Sequence, residues 1–408
     1  RNIESEIKEH LSATEFTIIT GARQVGKTNL MHRIMNELKS KNKKCLFLNL
    51  DFNTDSVYFK SQETLIHKIK LEIGEEGYVF IDEIQRVENA GLFLKGIYDR
   101  NLNYKFIVSG SGSLELKAKI SESLMGRKRV FEMMPVNFYE FVNYKTDNKY
   151  ENKLDLFFSV EEEKISVLLD EYLNYGGYPR IVTENVKQEK LKLTDEIFKS
   201  YIEKDLVYLL KIERPDVFIL LIKLLSAQTG KFVNYTKLAN QLNISVQTLK
   251  KYLWYAEKTF CIDYLPPFYT NKIKEITKSP VFYFNDLGFR NYAINLMGNL
   301  NLTEQYGFVF QNFVYLLLKN YIRWQNWTIH YWRTTDKAEV DFVINKNTSL
   351  LPIEVKYGNI NNPTVSRSFR SFIEKYNPDE AWIINRGFKY DFRINNTQVS
   401  FIPFFEIK

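Results

Sequence analysis

Apolar and polar positions follow two rhythms along the first 135 residues. Short apolar runs at Phe16–Thr20, Cys45–Leu50, Tyr78–Asp82, Tyr104–Ser109 and Arg129–Met134 predict strands. The segments between them, such as Asn29–Lys39, carry apolar residues at helical spacing. Strands alternating with amphipathic helices predict an α/β fold with a parallel sheet covered by helices. From about Asn137 to about Lys258 the spacing is helical, punctuated by Gly176-Gly177-Tyr178-Pro179, which reads as a turn. From about Leu302 strands and helices mix again. The expected organisation is an α/β module (1–136), a helical lid (137–228), a helix-turn-helix unit (229–300) and a second α/β module (301–408).

Composition narrows this picture. At 408 residues with 45% hydrophobic positions, the chain can build several packed cores and is not globally disordered. Lys plus Arg (56) exceed Asp plus Glu (49), and a net charge of +7 permits an anionic partner such as nucleic acid. Two cysteines, Cys45 and Cys261, exclude a disulfide scaffold. The four histidines are scattered, and no Cys/His cluster has zinc spacing. The most apolar stretch, Val217–Leu225, is interrupted by Lys223 and is far shorter than the ~20 residues of a membrane span. A membrane role is not expected, and the cytoplasm is the expected compartment. Aromatic residues (15%) are read as core filling rather than as base-stacking platforms.

The segment Gly21-Ala22-Arg23-Gln24-Val25-Gly26-Lys27-Thr28 matches G-x-x-x-x-G-K-[ST] between an expected strand and an expected helix. Its glycines let backbone N–H groups wrap an anion, and the helix N-terminus adds positive potential. This loop, taken through Asn29, is the candidate nucleotide-binding segment. Lys27 would reach the β- and γ-phosphates of ATP, and Thr28 would hold Mg²⁺. Asp82 and Glu83 end the strand Tyr78–Asp82, at the edge where α/β sheets gather ligands. Asp82 would bind the Mg²⁺, and Glu83 would activate the attacking water. Ser109, ending the strand Tyr104–Ser109 before Gly110-Ser111-Gly112-Ser113, either senses the γ-phosphate or belongs to an ordinary turn. Arg127 and Arg129 could neutralise phosphate charge, in cis or from a neighbouring subunit, or form a solvated basic turn.

These segments resemble AAA+ ATPases, in particular a prokaryotic group of largely unassigned role. The resemblance lies in G-A-R-Q-V-G-K-T, F-I-D-E-I-Q, V-S-G-S, and M-G-R followed by M-P-V-N-F-Y-E-F. It extends over nearly the whole chain. It implies a winged helix in the middle, a C-terminal domain of unknown function that looks like a PD-(D/E)xK nuclease, and a possible ring of like subunits.

In the middle, Thr236–Leu242 and Val246–Lys258 read as two helices joined at Asn243-Ile244-Ser245. The second would present Gln247, Lys250 and Lys251 to a partner, and Lys272, Lys274 and Lys278 would form a basic wing beside Val281–Phe284. Lysines there suit DNA phosphates, although a solvated packing module has the same pattern. Near the C-terminus, Val340–Ile344 and Pro352–Lys356 read as a hairpin that brings Asp341 opposite Glu354 and Lys356. Two carboxylates with a lysine fit metal-assisted phosphodiester cleavage, with Asp341 and Glu354 as metal ligands, although charged alternation on a solvated hairpin has the same pattern. The resemblance implies a glutamate in the preceding helix, Gly307–Leu318, where this chain has Gln311. An amide binds a divalent cation less well, and Glu339 is the nearest replacement.

The expected fold class is thus an AAA+-type P-loop sheet with helical lid and winged helix, followed by a restriction-endonuclease-like α/β domain. The leading functional expectation is Mg²⁺-dependent ATP hydrolysis coupled to DNA binding or processing. The alternative is an ATP-gated protein-interaction or regulatory switch with an inactive nuclease-like domain.

Overall fold

The computed structural model describes residues 1–111, 123–209, 211–269, 279–300 and 304–407. Five strands, β1 (Phe16–Thr20), β2 (Cys45–Asn49), β3 (Gly77–Asp82), β4 (Tyr104–Ser109) and β5 (Lys128–Glu132), form one sheet in the order β2-β3-β4-β1-β5. All four pairings are parallel. β1 and β4 are buried along their whole length, as strands sandwiched between helices must be. Because β4 lies between β1 and β3, the C-terminal ends of these three strands converge on one edge. The helix Lys27–Ser40 follows β1 and buries Leu30, Met31, Ile34, Met35 and Leu38 against the sheet. All five expected strands are present, with ends shifted by up to two residues.

The helical region begins with Phe138–Lys145, whose capping box pairs Asn137 with Glu140. It continues through Glu162–Tyr175, Pro179–Thr183, Lys187–Ser200, a wide-turn π-helix at Tyr201–Leu209, and Pro215–Ala227. The Gly176-Gly177-Tyr178-Pro179 turn is fixed from a distance. The Asp286 carboxylate accepts hydrogen bonds from the N–H groups of Gly177 and Phe289, each at 2.7 Å. Pro179 then opens the next helix at a position where no N–H is needed.

Helices Tyr235–Leu242 and Val246–Lys258 match the sequence expectation, each capped by an Asn or Ser side chain. They are followed by the antiparallel pair β6 (Ile262–Leu265) and β7 (Val281–Phe284). Lys272, Lys274 and Lys278, together with Gly112 and Ser113, lie outside the described residues.

A second sheet has the order β12-β13-β11-β10-β9-β8, from β8 (Thr328–Arg333), β9 (Glu339–Asn345), β10 (Leu350–Val355), β11 (Glu380–Asn385), β12 (Tyr390–Ile394) and β13 (Thr397–Pro403). The expected hairpin is β9–β10, antiparallel with Phe342 opposite Ile353. One core cluster runs from the first sheet through the π-helix to Leu249 and Phe284. Another joins Phe138 and Phe158 of the helical region to Phe313 and Phe342 of the C-terminal part. Phe138 is a hub, with ring centroids 5.4 Å from Tyr172 and Phe313 and 5.5 Å from Phe404. The abundant aromatic residues thus serve largely as mortar between segments distant in sequence.

At Gly176 (φ +73°) a Cβ atom would lie 2.4 Å from Asp286 Oδ1 and 2.5 Å from the Gly288 nitrogen. Gly176→Ala is expected to destabilise the protein by roughly 2–4 kcal/mol. A lowered urea midpoint would show this, and an unchanged midpoint would contradict the described turn.

Candidate functional site

The loop after β1 is shaped by two glycines. A Cβ on Gly21 (φ +151°) would meet the Met133 carbonyl oxygen at 2.2 Å, and Gly26 (φ +98°) turns the chain into the helix at Lys27. The Lys27 ammonium is buried and donates to the carbonyl oxygens of Gly21 (3.0 Å) and Ala22 (2.7 Å). Burial lowers its pKa, and the nearby carboxylates of Glu83, Asp205 and Asp82 oppose that shift.

At the converging edge, Thr28 Oγ1 donates to Asp82 Oδ2 at 2.7 Å. Ser109 donates to the other Asp82 oxygen. Glu83 follows in a left-handed conformation (φ +60°), with its N–H on Asp82 Oδ1 at 3.1 Å. Such a backbone is costly for a glutamate and is concentrated at functional sites. Gln85, which sequence reasoning missed, is buried, donates to the Glu83 carboxylate and lies 3.2 Å from Ser111 Oγ. Burial raises the Glu83 carboxyl above its ordinary range, opposed by Lys27. Lys27, Thr28, Asp82, Glu83 and Ser109 therefore meet at one place. A hydroxyl and a carboxylate oxygen 2.7 Å apart at a phosphate loop fit an octahedral Mg²⁺ that also takes phosphate and water oxygens.

Arg127 requires a correction. It precedes β5, where its carbonyl accepts from the Phe16 N–H at 2.9 Å, and its guanidinium pairs with Asp99 at 3.0 Å. That is the opposite edge of the sheet. Five strand residues put it about 16 Å from the loop that follows β1. Arg127 cannot reach this chain's own phosphate loop. Arg129 is likewise removed from the loop, on β5 with its guanidinium over Phe131.

The loop also has partners that no local pattern announces. Arg23 Nε donates to Asp205 Oδ1 at 2.9 Å, across 182 residues. Asp205 lies on the π-helix, is 3% exposed, and is pushed up to about 6, chiefly by burial. Arg180 extends toward Gln24 of the same loop, 3.5 Å away, and pairs with Glu196 at 3.1 Å.

The second sheet brings Gln311, Asp341, Glu354 and Lys356 together. Asp341 Oδ1 accepts from Gln311 Nε2 (2.6 Å) and Oδ2 from the Val355 N–H (2.8 Å). Burial, with Glu354 and Glu339 nearby, pushes the Asp341 carboxyl up to about 7. Glu354 Oε2 accepts from Ser366 Oγ at 3.0 Å, and its other oxygen is 3.9 Å from Lys356 Nζ. Glu339 faces Arg333 at 3.6 Å and lies near enough to Asp341 to raise its carboxyl. Gly230, beside the helix pair, abuts this site. A Cβ there would lie 2.3 Å from Gln311 Oε1. The donor set is short of a nuclease metal site, because Asp341 and Glu354 supply two carboxylates and the amide of Gln311 stands where a third would be. Among the described residues no group of three or more His, Cys, Asp or Glu side chains could hold a metal ion.

Residues 13–142 match the family model described as an AAA domain. This segment is an AAA-type P-loop domain. Downstream of the AAA domain, residues 166–300 and 306–406 match two domains of unknown function, DUF8612 and DUF4143. An uncharacterized protein of Methanocaldococcus jannaschii is 26% identical over 390 residues, covering 93% of this chain and 83% of that one. An uncharacterized protein of Mycobacterium tuberculosis is 22% identical over 409 residues, covering 98% and 82%. Among solved structures, the Aeropyrum pernix ORC1 protein in complex with DNA aligns with a TM-score of 0.31 and 10% identity, over 74% of this chain and 94% of that one. AMPPCP-bound DnaA from Aquifex aeolicus aligns with a TM-score of 0.31 and 14% identity, over 62% and 86%. No helix among the described residues is long and apolar enough to cross a membrane.

Gln311→Glu should convert the amide-capped pair into a three-carboxylate site. Calorimetric titration with Mn²⁺ is expected to show binding about tenfold or more tighter than in the unsubstituted protein. Equal affinities would mean that Gln311 is not what limits the site.

Proposed function

We propose that this protein is a Mg²⁺-dependent ATPase whose nucleotide state is coupled to DNA binding. The observation that carries the ATPase reading is the single cluster of Lys27, Thr28, Asp82, Ser109 and Glu83. The backbone N–H groups of Gly21–Asn29 would cradle the phosphates, and Lys27 would exchange its two carbonyl partners for the β- and γ-phosphate oxygens. Thr28 and Asp82 would hold Mg²⁺, which neutralises charge developing on the phosphate oxygens when bound. Glu83 would accept the proton of the attacking water. Gln85 holds its carboxylate in place, and Ser109 fixes Asp82 from below. Arg127, on the far edge, suits a neighbouring copy's phosphates, which makes a homo-oligomer part of this reading.

The division into 1–136, 137–228, 229–300 and 301–408 gives each proposed step its own unit. Winged-helix character for 229–300 is supported by two short helices followed by an antiparallel pair. DNA would meet Gln247, Lys250 and Lys251, all exposed on the second helix. The Arg23–Asp205 ion pair supplies the link, because a change in the phosphate loop pulls on the π-helix that leads to this unit. The C-terminal unit would be nuclease-like, a reading supported by the Asp341–Glu354–Lys356 juxtaposition on its sheet, and the Gln311–Asp341 hydrogen bond favours binding without cleavage. The same observation favours the second reading, an ATP-gated protein-interaction switch.

Glu83→Gln should lower ATP turnover by a factor of about 10² or more while leaving nucleotide binding intact. Because only ionised Glu83 can take the proton and its carboxyl is raised, unsubstituted turnover should fall on acidification above the usual carboxylate range. Steady-state phosphate release, with and without duplex DNA, checks both points. Stimulation by DNA supports the coupled reading. Turnover indifferent to DNA supports the switch, and full activity in Glu83→Gln contradicts the assignment of the base.

A further inference from the structure

The helix Val246–Lys258 has two unlike faces. Leu249, Tyr252, Leu253 and Ala256 are buried. Gln247, Lys250, Lys251 and Trp254 are exposed, and their spacing of three, four and seven places them on one stripe. Trp254 is 46% exposed, although tryptophan is a residue that a folded chain ordinarily covers. Its neighbours along the stripe are cations. Lys250 Nζ lies 5.4 Å from the Tyr235 ring centroid and Lys251 Nζ 5.7 Å from that of Tyr255. Among the described residues no carboxylate pairs with either lysine. The sequence places no Asp or Glu from Val217 to Ala256, and the first carboxylate of the second helix is Glu257, half-buried three residues beyond Trp254.

A surface that interleaves unpaired lysines with aromatic rings is complementary to a polyanion carrying planar groups. Lysines alone would serve any nucleic acid, since phosphates are common to all. Trp254 narrows the choice. A duplex keeps its base faces inside the stack and offers only edges in its grooves. An exposed indole flanked by ammonium groups gains most from a base whose face is free, as in single strands and at unpaired ends. We infer that the stripe Gln247–Trp254 binds single-stranded nucleic acid, with Trp254 stacking on an unpaired base and Lys250 and Lys251 holding the adjoining phosphates. This rests on the proposal that the helix pair contacts nucleic acid, and it specifies the form of that nucleic acid.

The test is fluorescence anisotropy with the full chain, using a labelled thymidine oligonucleotide and a labelled duplex of equal length at several salt concentrations. The single strand is expected to bind more tightly. Trp254→Ala should weaken single-strand binding about tenfold or more and duplex binding less than twofold, and Trp254→Phe should retain most of the affinity. Lys250→Gln with Lys251→Gln should weaken both and flatten the salt dependence. If Trp254→Ala leaves single-strand binding unchanged, or weakens both substrates alike, the stacking inference is overturned while nucleic-acid binding stands. If neither substrate binds at low salt, the nucleic-acid reading itself fails.

Discussion

The phosphate loop of this protein is tied to a helix far along the chain by two charges taken out of water. Arg23 and Asp205 meet at 2.9 Å, and their side chains are 15% and 4% exposed. Removing one member of such a pair leaves the other charge stranded, at a cost of about 3–5 kcal/mol. Asp205 is held near charged loop groups on both sides, with Arg23 and Lys27 attracting it and Glu83 opposing. The position of the π-helix Tyr201–Leu209 is therefore conditional on the shape of the loop. A ligand that draws Arg23 or Lys27 toward itself changes the field that Asp205 experiences. That makes the loop a place where nucleotide chemistry can become movement.

The rest of the architecture is arranged so that movement there would travel. The core that packs the π-helix contains Tyr201, Phe218 and Leu249, so it runs without interruption into the helix pair. The turn at Gly176–Pro179 is held by Asp286, which caps the helix following β7, and Gly26 of the loop lies 4.0 Å or less from Pro179 and Met133 side-chain atoms at its Cβ position. The C-terminal sheet joins through a different core, centred on Phe138, and through Gly230 against Gln311. Two carboxylate sites are therefore joined to the helical region through different cores. At the first, two hydroxyls and a backbone N–H hold Asp82 beside the phosphate loop. At the second, an amide holds Asp341 where a further carboxylate would complete a metal site.

Much of this was legible in the residues. Periodicity announced the five strands of the first sheet and the helix pair, because both are built from local alternation of apolar and polar positions. The phosphate loop and the Asp82-Glu83 pair were legible because their chemistry is compact in sequence. Gln311 opposite Asp341 was anticipated from a resemblance, and the hairpin from alternation alone. Other features were out of reach for physical reasons. Nothing near Asp205 marks it as the partner of Arg23, since a contact across 182 residues leaves no local pattern. Gln85 stands in the F-I-D-E-I-Q run, but its contact with Glu83 depends on the turn after β3 and leaves no local pattern. The cis role of Arg127 failed because its place in the sequence, just before β5, does not say at which end of the sheet it lies.

The central claim is that nucleotide at the phosphate loop alters the segment that holds Asp205 and, through it, the helix pair. Hydrogen–deuterium exchange of the full chain, with and without a non-hydrolysable ATP analogue and Mg²⁺, tests this most directly. The account predicts that exchange changes together in the loop, in Tyr201–Leu209 and in Val246–Lys258. Changes confined to the phosphate loop and the end of β3, with Tyr201–Leu209 and Val246–Lys258 untouched, would contradict it.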